Sequence, residues 1–158
     1  MRTLAFALAL VMASGTASAQ DRVSSGDPQS VADTLSEMEY FATVEPYSNG
    51  RPRVRVRIGD RRASIAFYGC KDDMNGCRSL LFSTGFRSDE PIPLSVINEW
   101  NERQIFSRAY LDDVGDPFIE MPVVAAEDLS DGEFERIVNL WKNILDDFVE
   151  KLTSDDNG

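Results

Sequence analysis

Apolar residues recur along this chain at two different intervals, and each change of interval marks where helix gives way to strand. After Asp27-Pro28, which reads as a helix start, Val31, Leu35 and Met38 fall at i, i+4 and i+7, the single stripe of a short helix. The interval then drops to two. Residues from about 41 to 47 lead to a turn at Ser48-Asn49-Gly50. The following Arg53-Val54-Arg55-Val56-Arg57-Ile58 alternates charge with β-branched side chains, as a half-buried strand does. Gly59-Asp60 turns the chain into residues 63–68, and the segment between Cys70 and Cys77 turns it again into residues 79–83, which predicts an antiparallel meander of four strands. Pro91 and Pro93 interrupt the period, with Pro93 placed as a first helical residue ahead of Val96, Ile97 and Trp100, giving a second helix over about 94 to 104. Residues 106–111 and 118–121 flank a turn-rich stretch from Asp112 to Pro117 and read as a further hairpin. Ser130-Asp131-Gly132-Glu133 has capping-box spacing, and from Phe134 through Val138, Trp141, Leu145 and Phe148 to Leu152 a helical stripe persists for about five turns. The order α-β-β-β-β-α-β-β-α has too few helices to cross over between every strand. It predicts an α+β fold, an antiparallel sheet of about six strands packed by three helices.

Upstream of this pattern, Met1-Arg2-Thr3 precedes an unbroken apolar stretch over residues 4–13 and then small residues ending Ala17-Ser18-Ala19. That is the form of a secretory signal peptide cut after Ala19. The stretch is about ten residues, half of what a membrane-spanning helix needs. The chain therefore divides into a leader at 1–19, a flexible linker at 20–29, a folded domain at 30–152 and a disordered tail at 153–158. Its expected location is the periplasm or outside the cell, with no transmembrane segment in the mature chain. In that compartment the pair Cys70 and Cys77 reads first as a disulfide, with a redox pair and free thiols as alternatives. The six intervening residues, with two carboxylates among them, do not suit thioredoxin-like chemistry.

Composition narrows the chemistry. A chain of 158 residues with 42% apolar content suits one domain. Its net charge of -11 argues against nucleic acid as a partner, because phosphate binding needs a clustered positive surface. The absence of His and the presence of only two Cys remove histidine acid/base catalysis, the common nucleophile triads and the usual zinc sets. Asp112, Asp113 and Asp116 around Gly115 lack the ladder of an EF-hand and read as a turn. No catalytic residue, cofactor or metal is expected, and the protein is read as a non-enzyme.

Several fragments together carry a resemblance. Phe67-Tyr68-Gly69-Cys70 with Cys77 comes first, then Asn98-Glu99-Trp100-Asn101. Arg108-Ala109-Tyr110-Leu111-Asp112, Gly115-Asp116-Pro117 and Trp141 follow. Over about 30 to 152 the chain resembles the YbjN domain family, and the most specific piece is Asn-x-Trp-Asn followed some ten residues later by Tyr-Leu-Asp. The resemblance implies a bacterial sensory transduction regulator with a fold similar to that of the small chaperones of type III secretion systems. It implies an interaction module and supplies no catalytic residue.

Two groups stand out as candidate binding residues. Asn98 and Asn101 lie three apart beside Trp100 in the second helix. They read either as a polar recognition edge or as amides that bond backbone and fix the helix on the sheet. Arg53, Arg55 and Arg57 share one face of a strand, with Arg51 before them and Arg61 and Arg62 just beyond the turn, a local inversion of the chain's sign. They read either as a receptor for an acidic peptide, an anionic polysaccharide or lipid headgroups, or as a solvated face balanced by carboxylates across the strands. Glu99 and Arg103, at i and i+4, predict a surface ion pair. The expected function is a protein- or peptide-binding module with a regulatory or chaperone-like role, acting through a sheet face or edge and as a homodimer. The alternative is a sensor holding a small ligand between the Trp100 helix and the sheet, and an enzyme of unknown reaction ranks third.

Overall fold

The computed structural model describes residues 22–154, and its first departure from the sequence pattern comes at once. Residues 22–29, expected as part of a flexible linker, are tied to the domain. Strand β1 (Arg22–Val23) pairs antiparallel with β8 (Leu129–Ser130), Val23 is wholly buried, and Arg22 forms an ion pair with Asp128. Ser25, also buried, donates its hydroxyl to the Cys77 carbonyl at 2.8 Å and its amide to the Ala126 carbonyl at 2.7 Å. Two buried positions are too few to register as a period, so this anchor leaves no sequence signal. The expected leader, residues 1–19, lies outside the described residues.

Helix α1 (Pro28–Glu37) begins as its sequence predicts. Asp27, in extended conformation, accepts a hydrogen bond from the Gln29 amide at 3.0 Å, and Pro28 follows where its missing N–H costs nothing. Strands β2 (Phe41–Val44), β3 (Arg53–Ile58), β4 (Arg61–Tyr68) and β5 (Ser79–Gly85) form the expected meander. Helix α2 (Leu94–Arg103) follows, with Pro93 at the capping position rather than inside the first turn. The hairpin of β6 (Arg108–Leu111) and β7 (Pro117–Val123) completes a six-stranded antiparallel sheet of order β2-β3-β4-β5-β7-β6. Because β7 pairs with β5, α2 has to carry the chain past it to reach the β6 edge.

Helix α3 (Asp131–Ser154) buries Phe134, Val138, Trp141, Ile144, Leu145 and Phe148. Residues 153 and 154, expected in the tail, belong to this helix, and residues 155–158 lie outside the described part. Its start is the predicted capping box. The Glu133 amide donates to Ser130 Oγ at 3.3 Å, and the Ser130 amide donates to Glu133 Oε2 at 2.8 Å. Bonds from the Ser130 hydroxyl and amide hold the Glu133 carboxyl below its ordinary range. Ser130→Ala is expected to lower stability by about 1 kcal/mol, read as the shift of a urea unfolding midpoint.

All three helices cover the same side of the sheet. Val54, Val56 and Ile58 of β3, Ile65 and Phe67 of β4, and Leu80 and Phe82 of β5 point into one core with Leu35, Trp100, Trp141 and Phe148. Within it Phe82 lies 5.9 Å from Trp141, and Phe148 lies 4.9 Å from Trp100, measured between ring centroids. Period-two alternation sends the intervening residues of every strand to the opposite face, which no helix among the described residues covers.

Candidate functional site in the open sheet face

The register arranges that bare face into cross-strand rows. One row runs Thr43, Arg55, Ser64, Ser83, Glu120, Arg108 from β2 to β6. In the neighbouring row Phe41 stands opposite Arg57 and Arg57 opposite Arg62, while Gly85 stands opposite Phe118 and Phe118 opposite Tyr110. Small side chains occupy the middle strands at Ser64, Ser83 and Gly85. The result is a groove of about 670 Å³ with Phe41 toward one end and Phe118 toward the other. Gly85 is required there: a Cβ at that position would meet the Phe118 ring at 2.5 Å. The Phe118 ring lies across the glycine and stacks on Tyr110 with centroids 5.4 Å apart.

Charge on this face is unevenly paired. Arg55 Nε donates to Glu45 at 2.6 Å, and Arg53 lies 3.8 Å from the same carboxylate and 4.2 Å from the centroid of the Tyr47 ring. Arg51 stacks over Tyr68 at 4.7 Å, and Arg61 points to the helix side, where it bonds Asp146 at 2.9 Å. Arg57 and Arg62 are exposed, and among the described residues neither has a carboxylate partner. Farther along the face, nearly buried Glu120 accepts both Arg108 Nε at 2.9 Å and Arg108 Nη2 at 2.6 Å, and the Tyr110 hydroxyl donates to it at 3.3 Å. Burial first, and then the Glu120 charge, push the Tyr110 hydroxyl above its ordinary range.

The two groups expected as binding residues are therefore on opposite sides of the sheet. Arg53, Arg55 and Arg57 line the groove. Asn98, Trp100 and Asn101 belong to α2 on the helix side. Trp100 is buried and donates its indole N–H to Ser107 Oγ at 3.2 Å. Asn101 donates to the Ala109 carbonyl at 3.0 Å and accepts from the Ala109 amide at 2.8 Å, so its amide behaves like one more strand residue along the β6 edge. Asn98 is exposed, and its side chain makes no hydrogen bond among the described residues. Asn101→Ala is expected to cost about 1–3 kcal/mol because both backbone groups lose their partner, and amide hydrogen exchange at Ala109 should accelerate. Glu99 does not pair with Arg103 as its spacing predicts. It accepts Lys151 of α3 at 2.9 Å, a tertiary contact displacing a local one.

The remaining expectations concern loops. Cys70 and Cys77 are joined in a disulfide that closes the β4–β5 connection. Asp112 Oδ1 accepts the amides of Val114 at 3.0 Å and Asp116 at 2.9 Å, as a turn requires, and no cluster among the described residues could hold a metal ion. Sequence reasoning missed Phe41, Ser64, Ser83, Gly85 and Phe118. Arg62 was recoverable, because a two-residue turn at Gly59-Asp60 places residue 62 opposite residue 57.

The architecture is that of a two-layer α+β domain with one covered and one open sheet face. Residues 27–154 match the YbjN family, described as "Putative bacterial sensory transduction regulator", and the chain belongs to that family. The family's description is that of a regulator. No curated protein matches the chain. No helix among the described residues is long and apolar enough to cross a membrane.

Proposed function

We propose that this is an exported, non-enzymatic regulatory module that binds a protein or peptide partner on the open sheet face. The observation that carries it is the groove: six strands present one side with no helix of the described residues over it, and that side mixes guanidinium groups, hydroxyls and aromatic rings instead of a uniform solvated surface. Export is supported by the leader pattern at residues 1–19 and by a disulfide, which persists in an oxidising compartment. Trp100 and Asn101 position α2 in this scheme and leave recognition to the arginine face. A photoreactive amino acid at Ser83, in the groove, is expected to yield conjugates with a partner in envelope extract, whereas one at exposed Glu135 on α3 is not. Equal labelling from both positions would remove the groove from the scheme.

Self-association has its own support in Ile105 and Phe106, adjacent and both exposed between α2 and β6. Light scattering should then report a dimer, and a monomer across the accessible concentration range would end that part of the proposal. A small ligand remains the second reading, now in the groove, whose volume falls in the range of about 300–1,000 Å³ typical of ligand sites. A stabilising compound in a thermal-shift screen would favour it.

A further inference from the structure

We infer that Arg57 and Arg62 form a carboxylate clamp, and that the segment received by the groove is acidic with an apolar residue two positions from the acid. This rests on the open face being the docking surface. Of the six arginines between positions 51 and 62, four are already engaged by a carboxylate or an aromatic ring. The two left over are not scattered: they stand directly opposite each other on adjacent strands, on the same face. Like charges in that relation destabilise a sheet, with their Cβ atoms about 4.5–5.5 Å apart, so the fold retains a local repulsion that an anion between the two groups would relieve. Guanidinium groups are planar forks that match a carboxylate, and two of them can share one between them.

Phe41 fixes the second half of the recognition. It stands opposite Arg57 and is 76% exposed, an aromatic ring left in water at the edge of the charged pair. In an extended segment the side chain two positions from the acid points to the same side, and the one that lands on this ring would be apolar. The chain's own charge limits the length of the partner's acidic run. At -11 overall, the protein repels a long polyanion, so a short acidic and apolar segment suits it better than nucleic acid or a polyanionic polymer.

The probe is a blocked, fluorophore-labelled hexapeptide carrying Glu and Leu two positions apart with Ser at the other positions, followed by fluorescence anisotropy against the full mature chain. Its counterpart carries Gln in place of Glu. We expect the Glu peptide to bind and the Gln peptide to bind roughly tenfold or more weakly, since charged hydrogen bonds are lost. The double variant Arg57→Gln/Arg62→Gln should lose the preference. It removes a repulsion and so should fold at least as well, as a urea midpoint will show. Arg61→Gln removes one positive charge on the helix side and should leave binding unchanged. Equal binding of the two peptides, or an unaltered preference in the double variant, overturns the clamp. So does arginine-dependent binding to phosphatidylglycerol vesicles without binding of the Glu peptide, which would assign the pair to lipid. If Ser83 conjugates form while the Glu peptide does not bind, the clamp fails and the docking face survives. If neither is observed, both fail.

Discussion

Phe148→Ala is expected to destabilise the domain by about 3–5 kcal/mol, a large share of the roughly 5–15 kcal/mol that holds a domain of this size together. The ring is fully buried. It meets Trp100 edge-on at 4.9 Å and Phe86 at 5.7 Å, so one side chain of α3 joins α2 to the segment leaving β5. Deleting it removes the transfer free energy of the ring and both aromatic contacts, and it leaves a cavity that three separate elements would have to move to fill. Urea unfolding followed by tryptophan emission measures the loss, because Trp100 and Trp141 are the only two indoles and both are buried in this core. Phe41→Ala deletes the same side chain from the open face. With 76% of that residue in solvent, the change should stay within about 0.5 kcal/mol. The contrast separates the two layers: aromatic rings on the helix side hold the fold, whereas Phe41 contributes little to it and is available to a partner. A loss at Phe41 comparable with that at Phe148 would mean the open face is not open.

How far the chain could be read in advance depended on whether a signal was local. Helix α3 was legible because its stripe and its capping box agree, and the structure places both as expected. The meander was legible because each turn carries Gly beside a polar residue. Arg53, Arg55 and Arg57 could be assigned to one face by period alone, and that is the face carrying the groove. The Phe118 end of the groove was different in kind. Gly85 meets Phe118 only because β7 inserts beside β5, across the whole of α2, and no residue near either position announces that pairing. Asn101 shows a related gap. Two poor helix formers beside a tryptophan signalled that something must repay them, but the partner, the outward backbone of Ala109 on an edge strand, belongs to tertiary structure. Glu99 went the same way, since a neighbour at i+4 is a weak claim against a lysine brought close by helix packing. The β1–β8 pair, two residues on each side, is below the length at which alternation means anything.

Opening the disulfide is expected to cost about 2–3 kcal/mol, by the loop-entropy estimate for so short a ring. Cys70→Ser/Cys77→Ser and the reduced wild-type protein should give the same lowered urea midpoint. The loop has a reason to depend on the bond: Met74 sits at φ 62°, a left-handed conformation unusual for a side chain of its kind, held by its amide bonding Lys71 and by the Lys71 amide bonding Asn75, each at 2.9 Å. Loosening should travel in one direction in particular. The Cys77 carbonyl accepts the buried Ser25 hydroxyl, and the next residue's carbonyl accepts the Ala126 amide, so the anchor of residues 22–25 shares this loop's backbone. Faster hydrogen exchange at Ser25 is therefore expected on reduction. The groove should not respond in the same way. Strand β4 has Arg62 near its start and runs into the disulfide loop beyond Tyr68, and six residues of strand separate those two positions by roughly 20 Å. Reduction should lower the midpoint while leaving binding of the Glu and Leu peptide intact. An unchanged midpoint would show that the cross-link contributes nothing to the folded state, and a coincident loss of peptide binding would show that loop and groove move as one unit.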